Sequence, residues 1–90
     1  MALKMHPSIS VHAGRWLMSE IIAPSGRSIT DVAADLGVSR QALSTVLNRH
    51  ASLSADMARH FERHFKISAD TLMRMQTSYD LAQARMLLAG

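Results

Sequence analysis

The stretch that most constrains the fold of this chain covers residues 28–48. Apolar residues recur at helical spacing on both sides of Gly37, and a serine stands before each half. Ser28 and Ser39 are placed to cap the first turns of two helices. Asp31 follows Ser28 by three residues, the position of a capping-box partner. The pattern predicts two short helices joined by a three-residue turn, which is a helix-turn-helix.

The two predicted helices share one apolar junction. Ala33 supplies the small side chain that two steeply crossing helices need at their closest approach, and Gly37 suits the left-handed backbone that ends a helix. Around them, five side chains are predicted to face inward: Val32, Leu36, Val38, Leu43 and Val46. The junction would hold the second helix at a fixed angle to the first.

The outer face of the second predicted helix is polar and carries no acidic residue: Arg40, Gln41, Ser44, Thr45 and Asn48. Such a helix N-terminus fits the major groove of DNA, where arginine pairs with guanine, glutamine with adenine, and a threonine methyl group contacts thymine. We therefore predict that Arg40, Gln41, Ser44 and Thr45 read bases. The alternative is a helix face that only meets solvent.

Basic residues follow the second helix directly. Arg49 and His50 lie where a backbone phosphate would be if the helix occupied the groove. Together with the Ser39 hydroxyl and the Asn48 amide, they are predicted phosphate contacts. Such contacts position a protein on DNA and make binding depend on salt, but they read no sequence.

Composition sets the class of protein. Ninety residues, 48% of them hydrophobic, suit one small all-helical domain, and a net charge of +3 is compatible with nucleic-acid binding. The absence of cysteine excludes disulfides and thiolate metal sites. No apolar run has membrane-spanning length and no secretion signal opens the chain, so we expect a cytoplasmic protein without membrane contact. With no nucleophile beside a base and no glycine-rich phosphate loop, we expect neither catalysis nor a cofactor.

The segments before the helix-turn-helix are predicted as an arm and a helix. Residues 1–11 form the N-terminal arm, most simply a frayed terminus, and residues 12–90 form the domain. The first helix is predicted over residues 13–22, because the helix breakers of residues 23–26 follow it. Its inward stripe is Trp16, Leu17 and Ile21, with Trp16 as a core anchor.

A further helix is predicted after the cap Ser54. Its core-facing residues are Met57, Ala58, Phe61 and Phe65. His60 and His64, four residues apart on its other face, have the spacing of two metal ligands. No third ligand accompanies them, so a solvated, partly basic face is the favoured interpretation and no metal is predicted.

The last predicted helix begins after the cap Ser68 and either continues nearly to Gly90 or breaks near residues 77–78. Its final turns carry more apolar side chains than a domain of this size can bury: Leu81, Met86, Leu87 and Leu88. We therefore expect this helix to mediate a homodimer. A dimer would place two recognition helices about one DNA turn apart on a pseudo-palindromic operator.

Four segments, in order and spacing, resemble the HigA-type antitoxins, which are relatives of the phage-repressor-like helix-turn-helix class. They cover residues 12–15, 36–41, 54–58 and 75–81, and the resemblance extends over about residues 11–85. The most specific part is the terminal motif in which Gln76 is followed by Tyr79, Asp80 and Leu81. The helix-turn-helix itself is shared by many regulators.

The resemblance implies a compact five-helix, lambda-repressor-like DNA-binding domain that forms a homodimer. It implies a repressor of its own toxin–antitoxin operon that also neutralises a partner toxin, an mRNA-cleaving enzyme. The base-reading positions of the family fall on Arg40, Gln41, Ser44 and Thr45. Its phosphate-binding positions fall on Ser28, Ser39, Asn48 and Arg49.

Two departures from the family pattern concern the DNA-facing rim. Arg49 stands where a glycine is common and should be strained if the backbone is left-handed there. Ile29 stands where a polar phosphate contact is common. The family pattern is also altered at Ala13 and Arg15, which replace a proline and an acid. Ile29 and Arg49 keep one alternative open, a protein-interaction module that has lost DNA binding. The leading alternative is a solitary repressor without a toxin.

Overall fold

The computed structural model describes residues 11–89, and in this range the chain folds into five helices without a strand. Helix α1 covers residues 13–25 and consists of Ala13–Leu17, a π-helical turn Met18–Ile22, and Ala23–Ser25. The others are α2 Ile29–Leu36, α3 Arg40–Leu47, α4 Ala55–Phe65 and α5 Ala69–Ala89. The predicted all-α fold is confirmed. The predicted arm lies outside the described residues except for Val11.

The helix-turn-helix is α2 and α3. The Ser28 hydroxyl oxygen accepts a hydrogen bond from the Asp31 amide at 3.0 Å, and that of Ser39 accepts one from the Ala42 amide at 3.0 Å. Gly37 ends α2 with a φ of 77°, in the left-handed region that glycine adopts without strain. Both predicted caps and the predicted turn glycine are therefore confirmed.

One apolar core joins the five helices. Of the inward-facing residues predicted in the helix-turn-helix, Val32, Leu36, Leu43 and Val46 are buried, as is Ala33. Val38 is only half-buried, because it lies in the turn and packs against the core from its edge. Leu47 of α3 is buried as well, and other segments add five more buried residues: Ala13, Ile22, Leu53, Leu72 and Met75.

The predicted inward stripe of α1 is incomplete. Leu17 is buried, and Ile21 is half-buried and packs against the core, but the fully buried Ile22 was not predicted. The π turn explains the difference, since the Ala23 amide donates to the Met18 carbonyl five residues back. A π turn inserts one extra residue and rotates the following side chains around the helix.

The predicted end of α1 is wrong by three residues. The helix continues through Pro24 to Ser25 and ends at Gly26, whose φ is 74°. Proline removes a backbone donor and breaks most helix interiors. Here it lies in the last turn, directly after the π turn, where the regular hydrogen-bond pattern is already interrupted.

The aromatic residues pack mainly as predicted. Phe61 is fully buried, and Phe65 is half-buried and stacks on it with a ring-centroid distance of 5.7 Å. Met57 and Ala58 are buried, so the predicted core face of α4 is confirmed. Trp16 packs against the core but is only half-buried.

Helix α5 is continuous from Ala69 to Ala89, which decides between the two predicted alternatives. Its first half is anchored in the core, but its last turns extend beyond it. The large apolar side chains there are exposed: Leu81 at 46%, Met86 at 69%, Leu87 at 84% and Leu88 at 89%. The described helices include none that is both long and apolar enough to cross a membrane.

Helices α1 and α3 touch through their backbones at Gly14. A Cβ atom added to Gly14 would lie 2.1 Å from the Val46 carbonyl oxygen, far inside van der Waals contact. Only glycine permits this approach, which sets the position of α3 against the rest of the domain.

Replacing Gly14 by alanine should therefore destabilise the protein by about 1–3 kcal/mol, because the two helices must move apart. Urea unfolding followed by circular dichroism measures the change. Ser19→Ala, on the exposed side of α1, is the matched control and should change stability by less than about 0.5 kcal/mol. Equal stability of Gly14→Ala and the native protein would show that the interface tolerates the added methyl group.

Candidate nucleic-acid interface

The outer face of α3 forms an open concavity of about 390 Å³. Its lining residues are Arg40, Gln41, Ser44, Thr45, Asn48 and His50. The structure thus brings together six of the nine residues predicted to contact DNA, and no acidic residue is among the lining. The concavity is a shallow groove whose walls carry hydrogen-bond donors and positive charge.

The first turn of α3 presents Arg40 and Gln41 as exposed side chains. Arginine carries a planar fork of donors that matches the two acceptors of guanine, and glutamine matches the donor and acceptor of adenine. Recognition helices place their N-terminal residues against base edges. Arg40 and Gln41 therefore lie in the turn of α3 that corresponds to the base-contacting turn of recognition helices.

Further along α3, two internal hydrogen bonds determine what the polar side chains can offer a ligand. The Thr45 hydroxyl donates to the Gln41 carbonyl at 2.7 Å, so its methyl group and oxygen lone pairs remain for contacts. The Asn48 side-chain amide donates to the Ser44 hydroxyl oxygen at 3.1 Å. The Ser44 proton remains available, because a hydroxyl group can donate while it accepts.

Ser28 and Ser39 do not line the concavity but lie at the N-termini of α2 and α3. Their oxygens accept the cap hydrogen bonds, and each hydroxyl proton can still be donated to a phosphate oxygen. Both side chains are exposed, and the positive end of a helix dipole favours an anion at this place. The cap role is established by the structure, and a phosphate contact is chemically compatible with it.

Arg49 has a φ of 63°, so its backbone is left-handed, which is the condition under which the sequence predicts strain here. A non-glycine residue in this region costs roughly 1–3 kcal/mol and needs support from its surroundings. Two backbone hydrogen bonds continue the end of α3 here: the Arg49 amide donates to Val46 at 3.1 Å, and the His50 amide to Thr45 at 2.9 Å. Both side chains are exposed beside the recognition helix.

The residues after His50 are held by side chains from two other helices. The first is His12, the N-cap of α1, which is only 4% exposed. Its Nδ1 accepts a hydrogen bond from the Gly14 amide at 2.9 Å, so Nε2 carries the proton and donates to the Ala51 carbonyl at 3.0 Å. This pattern of one acceptor and one donor is that of a neutral imidazole.

The second support comes from α5. Gln76 is 2% exposed, and its Oε1 accepts the Leu53 amide at 3.0 Å. Its Nε2 donates to Asp80 at 2.9 Å, and the Asp80 carboxylate accepts the Ser52 hydroxyl at 3.0 Å. We call His12, Gln76 and Asp80 the loop clamp, because they bind residues 51–53 of the loop that follows α3.

Sequence reasoning did not find the role of the loop clamp. Its signal was present, because Gln76, Tyr79 and Asp80 form the motif that marked the family resemblance, and His12 opens another of its segments. The Tyr79 ring packs edge-on against His12 at a centroid distance of 5.1 Å. What the sequence did not reveal was that the two segments meet.

The histidine pair of α4 faces a different surface. His64 Nε2 lies 3.8 Å from Asp35 Oδ2, and the Asp35 carboxylate also pairs with Arg27. Within residues 11–89, no three potential ligands are grouped to hold a metal ion. The observed neighbours of His64 are those of a polar surface.

Comparisons with known proteins agree with this geometry. Residues 18–72 match the helix-turn-helix family. Virulence-associated protein I of Dichelobacter nodosus is 32% identical over 75 residues, covering 83% of this chain and 69% of the relative. A Pseudomonas aeruginosa protein in complex with its 28-base-pair operator DNA is 32% identical, with a TM-score of 0.80 and 84% of each chain covered. The Pseudomonas aeruginosa antitoxin HigA with the higBA promoter is 30% identical, with a TM-score of 0.83 and 88% and 86% covered.

Because His12 is buried as a neutral imidazole, the free energy of unfolding should depend on pH. Burial lowers the pKa of His12, assisted by the charge of Arg49 and opposed by the hydrogen bond to Ala51 and the charge of Asp80. The unfolded chain therefore takes up a proton first as pH falls through about 6.5, and the free energy of unfolding falls with it.

Urea unfolding between pH 7.5 and 5.5 measures this loss. His12→Asn keeps a side-chain acceptor for the cap but cannot titrate, so it should be less stable at pH 7.5 and lose less stability on acidification. The difference between the two pH profiles isolates His12 from the other histidines. Parallel profiles would contradict the role assigned to burial.

Proposed function

This chain belongs to the helix-turn-helix family and, within it, to the HigA-type antitoxins, and from this we propose that it is a DNA-binding antitoxin that represses its own operon. The single observation that supports the DNA contact best is the acid-free concavity on α3. Two relatives with the same fold carry operator or promoter DNA in their solved complexes. The family consists of DNA-binding regulators, and we propose no catalytic activity.

In the proposed complex, α3 lies in the major groove. Arg40 pairs with O6 and N7 of a guanine, and Gln41 with N6 and N7 of an adenine. The Thr45 methyl group contacts a thymine methyl, and the Ser44 hydroxyl bonds to a neighbouring base edge. The hydrogen bond from Asn48 positions the Ser44 oxygen and leaves its proton to donate to the base.

Phosphate contacts surround this reading helix. We assign five exposed residues to the DNA backbone. They are Ser28 and Ser39 at the N-termini of α2 and α3, and Asn48, Arg49 and His50 at the C-terminal end of α3. Ile29 packs against the core instead of facing outward as an apolar obstacle. Isoleucine at this position, where the family commonly has a polar residue, therefore removes one possible phosphate contact but does not block the DNA-facing surface.

The remaining partners follow from the family. We propose a homodimer on a pseudo-palindromic operator, and a toxin that cleaves mRNA as the protein partner in the cytoplasm. A gene for a small basic protein beside this one would support the antitoxin role. Without such a neighbour, the chain would be the solitary repressor.

The proposal is tested by binding to labelled DNA from upstream of its own gene, with scrambled DNA for comparison, at two salt concentrations. We expect selective binding that weakens as salt rises, because phosphate contacts release counterions. Binding to neither DNA would favour the interaction module.

Arg40→Ala should weaken operator binding by about 1–3 kcal/mol and relax the preference at one base pair, because a bidentate contact is lost. Fluorescence anisotropy with operators changed one base pair at a time measures both effects. Arg74→Ala, the matched control on α5, removes the same charge outside the concavity and should keep the native preference. If Arg40→Ala kept the native base preference, Arg40 would not be one of the base-reading residues.

The double substitution of Leu87 and Leu88 by serine should dissociate the proposed dimer, since these side chains are 84% and 89% exposed in a single chain. Sedimentation velocity measures the change, and Gln83→Ala on the same helix is the control. If the variant sediments as the native protein does, the dimer interface does not include Leu87 and Leu88.

A further inference from the structure

The loop clamp binds three successive residues of one loop, each through a different group. His12 holds the carbonyl of Ala51, and Asp80 holds the hydroxyl of Ser52. Gln76 holds the amide of Leu53. We propose that the loop clamp positions Arg49 and the residues beside it for their contacts with the DNA phosphates. This inference rests on the proposed function and adds positioning residues to it.

The loop is fixed from both ends. On one side, the amides of Arg49 and His50 bond back to the last turn of α3. On the other, the clamp acts from α1 and α5, which are distant in sequence: 39 residues separate His12 from Ala51, and 23 separate Gln76 from Leu53. The left-handed backbone of Arg49 belongs to the first of these anchors, and the clamp fixes the residues that directly follow it. The loop therefore leaves α3 along one defined path.

The chemistry of Gln76 indicates more than a role in packing. A buried amide must satisfy its donors and acceptor, whereas an apolar side chain of similar size would fill the space without that requirement. Gln76 uses its oxygen for the loop backbone and its nitrogen for Asp80, which in turn reaches Ser52. These bonds select one loop conformation, which packing alone does not do.

The clamp side chains need not touch DNA to affect binding. The exposed side chains assigned to the phosphates at this end of α3 are Asn48, Arg49 and His50, and the clamp acts on the backbone just beyond them. If the loop is released, phosphate contacts are lost but base contacts remain. Affinity should then fall for operator and scrambled DNA alike, with a smaller dependence on salt.

The test measures DNA affinity over a series of salt concentrations for the full chain. Gln76→Ala should lower affinity at low salt by about tenfold and reduce the slope of log K against log salt by about one, which corresponds to one phosphate contact. Ser52→Ala should act in the same direction by a smaller factor. Met75→Ala is the matched control, because Met75 is buried beside Gln76 on α5 and faces the side of Trp16 rather than the loop.

A rescue variant adds a readout that general destabilisation would not produce. Gln76→Glu combined with Asp80→Asn reverses donor and acceptor between the two positions and keeps an acceptor for the Leu53 amide. It should recover more of the salt slope than Gln76→Glu alone, which sets two carboxylates against each other.

The outcomes separate this inference from the proposed function. If the native protein binds no DNA, both are overturned. If it binds and the salt slopes of Gln76→Ala and Ser52→Ala equal the native slope, only the positioning role is overturned. The same follows if Met75→Ala lowers the slope as much as Gln76→Ala does. Should Gln76→Ala fail to fold, Ser52→Ala decides alone, because Ser52 is exposed and outside the core.

Discussion

The contact between Gly14 and Val46 is the constraint on which the recognition helix depends. The backbone of α1 meets the carbonyl of Val46 so closely that no β-carbon fits between them. The same turn of α1 is capped by His12, whose other nitrogen binds the Ala51 carbonyl in the loop after α3. One helical turn therefore fixes both α3 and the loop that leaves it, and the polar face of α3 gains a defined orientation.

The sequence predicted those parts of the fold that depend on neighbouring residues. Ser28 and Ser39 cap the helices that follow them, and Gly37 turns the chain, because each interaction is completed within a few residues. The predicted stripe of α1 lacked Ile22, since periodicity assumes a regular α-helix and the π turn places the fully buried position one residue after Ile21.

In the candidate site, too, the sequence predicts local features but not contacts between distant segments. The residues that line the concavity were predictable, because one helix with a regular period presents them. The loop clamp was not, because His12 and Gln76 meet the loop across long separations in sequence. A motif can mark such residues without revealing what they bind. Only the fold shows that residues from two of the resembling segments hold the same loop.

Helix α5 both holds the loop after α3 and presents the exposed apolar side chains of the proposed dimer interface. Its core-anchored part carries Gln76 and Asp80, and its exposed end carries Leu87 and Leu88. Because the helix continues without a break through residues 77–78, one rigid element connects these two parts. Two recognition helices must lie about one DNA turn apart to read a pseudo-palindrome. A dimer formed through the ends of α5 would set that separation through the same helix that holds the phosphate-binding loop.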